Sequence, residues 1–294
     1  MDEMFRLVWK RYRTWAITSR NLKVVNESWK RRVLVLTLAG TIFGTLAPFA
    51  GRWIDGPWPA RIAGILGTVC LALATYFGKQ LLDAKREERW MRARIAAEAY
   101  KSEANKYLVQ APPYDGPDRP ARLNARLGEL DPLTKNHVPD NVSDADATRG
   151  MPGSWWTVDE YIAKRLTEQI DWYRARASDH TRSMATGRTV ALSLGGVAVL
   201  LSAVTGATAE NGTLPAGLLG IVTTAGGAIG AYFQAGHYET IALKYRETAD
   251  ALDRRRAEFA TALTPEKHRL VADAEGMMQA ENAAWLAEMT TKAV

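Results

Sequence analysis

The sequence predicts an all-α integral membrane protein with four transmembrane helices. They form two tandem helical hairpins, with long charged cytoplasmic helices attached. Three observations carry this reading. Residues 33–51, 62–78, 189–209 and 214–235 contain no Asp, Glu, Lys or Arg and are largely apolar. Each run comes close to the ~20 residues that a helix needs to cross a hydrocarbon core of roughly 30 Å. The runs are paired across short tips, so each pair folds back on itself with both ends on one side. Lys and Arg crowd the outer ends of the runs, twenty-one against Arg52 and Arg61 at the tips. By the positive-inside rule, both termini and the middle of the chain are cytoplasmic and the tips lie outside. This predicts a multi-pass protein of the cytoplasmic (inner) membrane, with the lipid bilayer as its first partner.

The whole-chain averages conceal this pattern. Mean hydropathy is slightly negative because apolar and charged residues are segregated into blocks. The net charge of +6 is accounted for by basic residues beside the spans, so no nucleic-acid partner is expected. The single cysteine, Cys70, lies inside an apolar run and offers neither a disulfide nor a metal cluster. The first apolar run begins only at Val33, too late for a typical cleavable signal peptide.

In chain order, residues 1–32 read as one helix without Gly or Pro, rich in Trp, Arg and Lys. Trp9, Trp15 and Trp29 suit packing between helices better than a headgroup belt. The first span, 33–51, ends in a turn rich in Gly, Pro and Trp. The second span, 62–78, is short. Lys79 can snorkel and Leu81 and Leu82 extend it to about 82. A charged helix follows and stops before Pro112 and Pro113. Residues 111–155 are dense in Pro, Asp and Asn and read as a cytoplasmic linker, with one short helix over 121–130. Structure resumes at Thr157 and Glu160, spaced as a capping box. That helix runs into the third span, 189–209. A polar tip leads to the fourth, 214–235. A charged helix comes next, and Thr264 and Pro265 start the last one. The expected domains are 1–110, a first two-span unit, and 156–294, a second, joined by the linker.

The two halves share one architecture: helix, span, tip, span, charged helix. Arg94, Ala97 and Glu98 after the second span match Arg246, Ala249 and Asp250 after the fourth at a constant offset. The segment with Tyr161, Arg165, Gln169, Trp172, Tyr173 and Arg176, then two spans, Tyr245, Arg246, Asp250, Glu281 and Trp285, resembles the SLATT superfamily. These are two-transmembrane SMODS and SLOG-associating effector domains. The first half, with Trp90, Arg94, Glu98, Lys101 and Glu103, resembles the related DUF4231 form. The resemblance implies two tandem copies of a membrane effector unit from prokaryotic nucleotide-dependent conflict systems. Such effectors are thought to form pores or ion channels in antiviral defence. It also implies a nucleotide second messenger or a nucleotide-sensing protein as partner, since no sensing domain is fused to this chain.

Two small-residue stripes lie within the spans. Thr37, Thr41 and Thr45 recur every four residues beside Gly40 and Gly44, which puts the hydroxyls on one face. That face either lines a wet pore or bonds carbonyls and packs closely, and packing is the preferred reading. Gly220, Gly226 and Gly230 form a second stripe, again suited first to helix packing. No Asp, Glu, Lys or Arg lies inside any span, with Lys79 at the inner edge of the second, which argues against a proton-coupled transporter. The four histidines are scattered without partners at ligand spacing, so no catalytic residue, metal site or cofactor is expected and the protein is not read as an enzyme. The expected function is an oligomeric pore- or channel-forming effector, built as a homo-oligomer because one four-helix set is thin for a pore. The alternative is a non-conducting scaffold or sensor that recruits a soluble partner through its cytoplasmic helices.

Overall fold

The computed structural model describes residues 1–53, 56–81, 84–135, 137–207, 213–234 and 238–291. Among them every regular element is a helix. The helices are α1 (Glu3–Trp53), α2 (Trp58–Leu81), α3 (Ala84–Leu108), α4 (Arg119–Thr134), α5 (Asp144–Thr148), α6 (Val158–Tyr161), α7 (Thr167–Ala207), α8 (Thr213–Gln234), α9 (Tyr238–Phe259) and α10 (Thr264–Thr291). A π-helical segment, Ile162–Leu166, joins α6 directly to α7. Among the described residues three helices are long and apolar enough to cross a membrane: Glu3–Ala50, Trp58–Lys79 and Val158–Gly206. Ala216–Gly230 forms a shorter apolar helix within the 22-residue α8, where the fourth span is expected. The junctions at 82–83 and 235–237 and most of the 210–213 tip lie outside the described residues. So does the passage from the second span into the charged helix after it, which the sequence reads as one continuous rod.

The chain forms two compact units, and both cut across the two sequence halves. The first contains Met1–Val25, Ala84–Ala177 and Leu243–Val294; the second contains Asn26–Asp83 and Ser178–Ala242. The core of the first unit follows from the pattern of α3. Ala93, Ala97, Tyr100, Ala104 and Tyr107 recur at spacings of three or four and are all buried, which makes one apolar stripe along the helix. Its small alanines let Phe5, Val8 and Trp9 of α1 close onto it, with Leu123, Leu127 and Leu130 of α4 in the same core. Each fully buried large side chain here contributes about 1.5–3 kcal/mol. Trp9 and Trp15 are therefore packing residues. The stretch expected as a linker is built into this core: its short helix is the longer α4, whose three leucines are buried.

Polar contacts fix the same stretch. Glu103 is fully buried and accepts hydrogen bonds from the Tyr114 hydroxyl at 2.6 Å, Lys106 at 2.8 Å and Arg126 at 3.2 Å. Burial is the largest influence and raises the proton affinity of Glu103. Lys106, Tyr114 and Arg126 outweigh it and hold the carboxyl below its usual range. The expected capping box is present in full. The Thr157 hydroxyl accepts from the Glu160 N–H at 3.2 Å, and the Glu160 carboxylate accepts from the Thr157 N–H at 3.0 Å. Thr157→Ala is expected to cost about 1 kcal/mol and to raise amide exchange in the first turn of α6 before any other segment.

The second unit is held by close backbone approaches. A Cβ on Gly67 would lie 2.7 Å from the Gly44 nitrogen, and one on Gly40 would lie 2.7 Å from Leu71 Cγ, so α1 and α2 cross where glycines remove the side chains. Phe49 and Thr45 of α1 approach Gly217 of α8, and the Phe233 ring lies against Gly187 of α7. Trp29 packs on Phe77 with ring centroids 5.2 Å apart.

Candidate functional site

The most unusual chemistry lies in the first unit, where charged side chains enter the helix packing. Arg165 on the π-helical segment is nearly fully buried, and Glu275 on α10 fully so. The guanidinium grips the carboxylate with two hydrogen bonds, Nε to Oε1 at 2.9 Å and Nη2 to Oε2 at 3.1 Å. The Tyr161 hydroxyl donates to the same carboxylate at 3.1 Å. The extra residue of the π turn shapes this arrangement, because Tyr161, Arg165, Leu166, Ile170 and Tyr173 are all buried along one face. Single π turns inside α-helices occur often at functional positions.

The cluster extends to α3 and α9. Arg94 donates to the Tyr245 hydroxyl at 3.2 Å, and Tyr173 donates to Glu281 at 3.4 Å. The rings of Trp172, Tyr173 and Tyr245 meet with centroids 5.0–5.5 Å apart. Burial works against the Arg94 charge, but Tyr245, Glu281 and Glu98 outweigh it and hold the guanidinium above its ordinary range. Burial also opposes ionisation of Glu98, yet Lys101, Arg165 and Arg94 prevail and lower its pKa. Glu281 behaves in the opposite way: burial dominates and pushes its pKa up. Arg165 Nη1, Gln279 Nε2 and Glu281 Oε1 are buried without a hydrogen-bond partner.

These contacts sort the residues singled out in the sequence. Arg94, Glu98 and Tyr173 come together in the cluster, and Trp172 stands at its aromatic edge. Trp90 is half-buried on α3, while Arg246 and Asp250 are exposed, and their neighbours Tyr245 and Ala249 face inward. Trp285 lies on α10, but its side chain is outside the described residues. Glu275 was missed. The available signal was a carboxylate among Val271, Ala274 and Met278, which form the buried stripe of α10. In the second unit Thr37 and Thr41 donate to the carbonyls of Val33 and Thr37 on their own helix, and Thr45 faces α8. A Cβ on Gly44, Gly220 or Gly230 would meet nothing within 4 Å, and one on Gly226 would meet Leu194 at an ordinary 3.8 Å. Among the described residues no group of His, Cys, Asp and Glu is placed to hold a metal ion. The cluster pairs ions between helices and contains no nucleophile–base pair.

Helices of spanning length and a buried ionic cluster define an all-α protein with candidate membrane spans. Residues 161–285 match the family model described as SMODS and SLOG-associating 2TM effector domain 1, and residues 20–122 match the protein family of unknown function DUF4231. The chain carries these two distinct domains in tandem, a DUF4231 domain followed by a SLATT domain. No curated protein and no solved structure matches it. Arg94 and Glu98 fall in the first matched segment, and Arg165, Tyr173, Tyr245, Glu275 and Glu281 in the second, so the cluster joins residues of both domains.

Proposed function

We propose that this protein is a four-span effector of the cytoplasmic membrane that oligomerises and opens a pore, with both termini in the cytoplasm. The observation that carries the reading is the match of residues 161–285 to a two-span effector domain. It is supported by the most apolar 18-residue window of Val158–Gly206, none of which is buried within the chain. A helix with so little cover from its own chain needs lipid or further copies around it. The spans hold no Asp, Glu, Lys or Arg, so a pore built from them has a neutral wall and acts by leakage rather than by coupled transport. Its place is in a prokaryotic conflict system, with a nucleotide signal or a nucleotide-sensing protein supplied in trans. On this reading the protein is not an enzyme.

A second reading, a non-conducting scaffold that recruits a soluble partner, is favoured by Thr37 and Thr41. Their hydroxyls bond their own helix and so do not offer a hydrated face. Dye-loaded liposomes distinguish the two. Purified full-length protein is expected to release the dye in proportion to protein added, with or without candidate nucleotides. Vesicles that stay tight under every condition, with the protein inserted, overturn the pore and leave the scaffold.

A further inference from the structure

We propose that the buried cluster in the first unit is a proton-operated latch. With a proton on Glu281 it holds α10 onto α3, α7 and α9, and loss of that proton loosens α10. The inference is independent of whether the spans conduct.

The geometry argues for it through the hydrogen bonds that Glu281 lacks. Arg165 is held by Glu275 in a two-point ion pair, and Glu98 is stabilised by Lys101 first, then by Arg165 and Arg94. Glu281 is a further carboxyl in the same cluster. It receives one long hydrogen bond, from Tyr173 at 3.4 Å, and its Oε1 is buried without a partner. An ionised carboxylate wants several donors, whereas a protonated one needs fewer and carries no charge into the packing. The groups facing Glu281 are Arg94 and Glu98 from α3, Tyr173 from α7 and Lys244 from α9. Glu98 repels a negative charge there. Arg94 attracts it but is shared with Glu98 and Tyr245, and Lys244 stands on a half-exposed position.

The direction of the pH effect follows from linkage. Burial raises the pKa of Glu281 above its ordinary value of 4.5, so the folded protein binds this proton more tightly than the unfolded chain does. The latch is complete at acid pH and weakens as pH rises through the folded value. Glu98 and Glu103, whose pKa values are lowered, act in the opposite sense and at lower pH. The test therefore compares the wild type with Glu281→Gln, which imitates the protonated carboxyl at every pH.

Hydrogen exchange on the full chain in lipid nanodiscs, corrected for intrinsic rates, reads the latch at α10. In the wild type, α10 protection is expected to fall as pH rises from acid to alkaline, by at most about tenfold per pH unit for one proton. In Glu281→Gln it should stay at the wild type's acid level throughout. Equal slopes in the two proteins overturn the proposal. So does lower protection in Glu281→Gln at all pH values, which would make ionised Glu281 the holding form. Glu275→Gln, which breaks the neighbouring pair, is the control for sensitivity and should lose α10 protection at every pH. If it does not, α10 is not held by the cluster and the proposal also fails.

Discussion

Arg165→Met alone is expected to cost about 3–5 kcal/mol, because it leaves the Glu275 carboxylate buried without its guanidinium. The remaining donor, the Tyr161 hydroxyl at 3.1 Å, does not replace two charged hydrogen bonds. Glu275→Gln should be comparably damaging, since it strands the Arg165 charge. Replacing both at once tells a different story. Arg165→Met with Glu275→Leu removes two desolvated charges and keeps the volume, and such exchanges are often neutral or stabilising. Tyr161→Phe belongs in the same variant, because the hydroxyl would otherwise lose its acceptor. Urea unfolding in detergent, followed by tryptophan fluorescence and by protease resistance of α10, should rank the single changes far below the triple change. If the triple variant is as unstable as Arg165→Met, the cluster contributes more than ion pairing and the simple charge argument is wrong. If the singles cost under about 1 kcal/mol, Glu275 is solvated in a way its burial does not suggest.

That experiment also bears on what the sequence could and could not reveal. The helical class was legible because charge-free runs of spanning length and alternating charged blocks leave few other arrangements. The capping box was legible because Thr157 and Glu160 act locally, within one turn. Arg94, Glu98 and Tyr173 were visible as recurring residues, but their purpose was not. It depends on Arg165 and Glu275, 110 residues apart in the chain, and no local pattern records which charge a buried carboxylate meets. The composition of 111–155 pointed to a tether, yet Leu123, Leu127 and Leu130 are spaced for one helical face and are buried. Proline and aspartate there mark the ends of α4 and α5, so turn chemistry at element boundaries gave the stretch the look of a linker. The division into compact units was hidden for a similar reason. Helices α1 and α7 each contribute residues to both units, and an uninterrupted helix carries no boundary signal.

The glycines of the spans should separate sharply under one substitution, alanine. At Gly67 the new methyl would lie 2.7 Å and 2.9 Å from the Gly44 nitrogen and Cα, and 3.1 Å from the Gly40 carbonyl oxygen. These are backbone atoms, so relief requires α1 and α2 to move apart, at about 1–3 kcal/mol. Gly40→Ala meets Leu71 Cγ at 2.7 Å and the Gly67 carbonyl oxygen at 3.0 Å, so it too presses on the α1–α2 crossing and should cost a comparable amount. Gly220→Ala and Gly230→Ala meet nothing within 4 Å and should lie within about 0.5 kcal/mol of the wild type in the monomer. Cys70 on α2, the one cysteine of the chain, reports the difference: its labelling by a small maleimide in mild detergent should accelerate in Gly67→Ala and remain unchanged in the α8 variants. The open α8 positions then address assembly. If copies meet along this face, Gly220→Ile and Gly230→Ile should reduce chemical cross-linking between chains while leaving Cys70 labelling at the wild-type rate. Unchanged cross-linking would assign the α8 stripe to lipid and move any contact between copies to the exposed apolar window of α7.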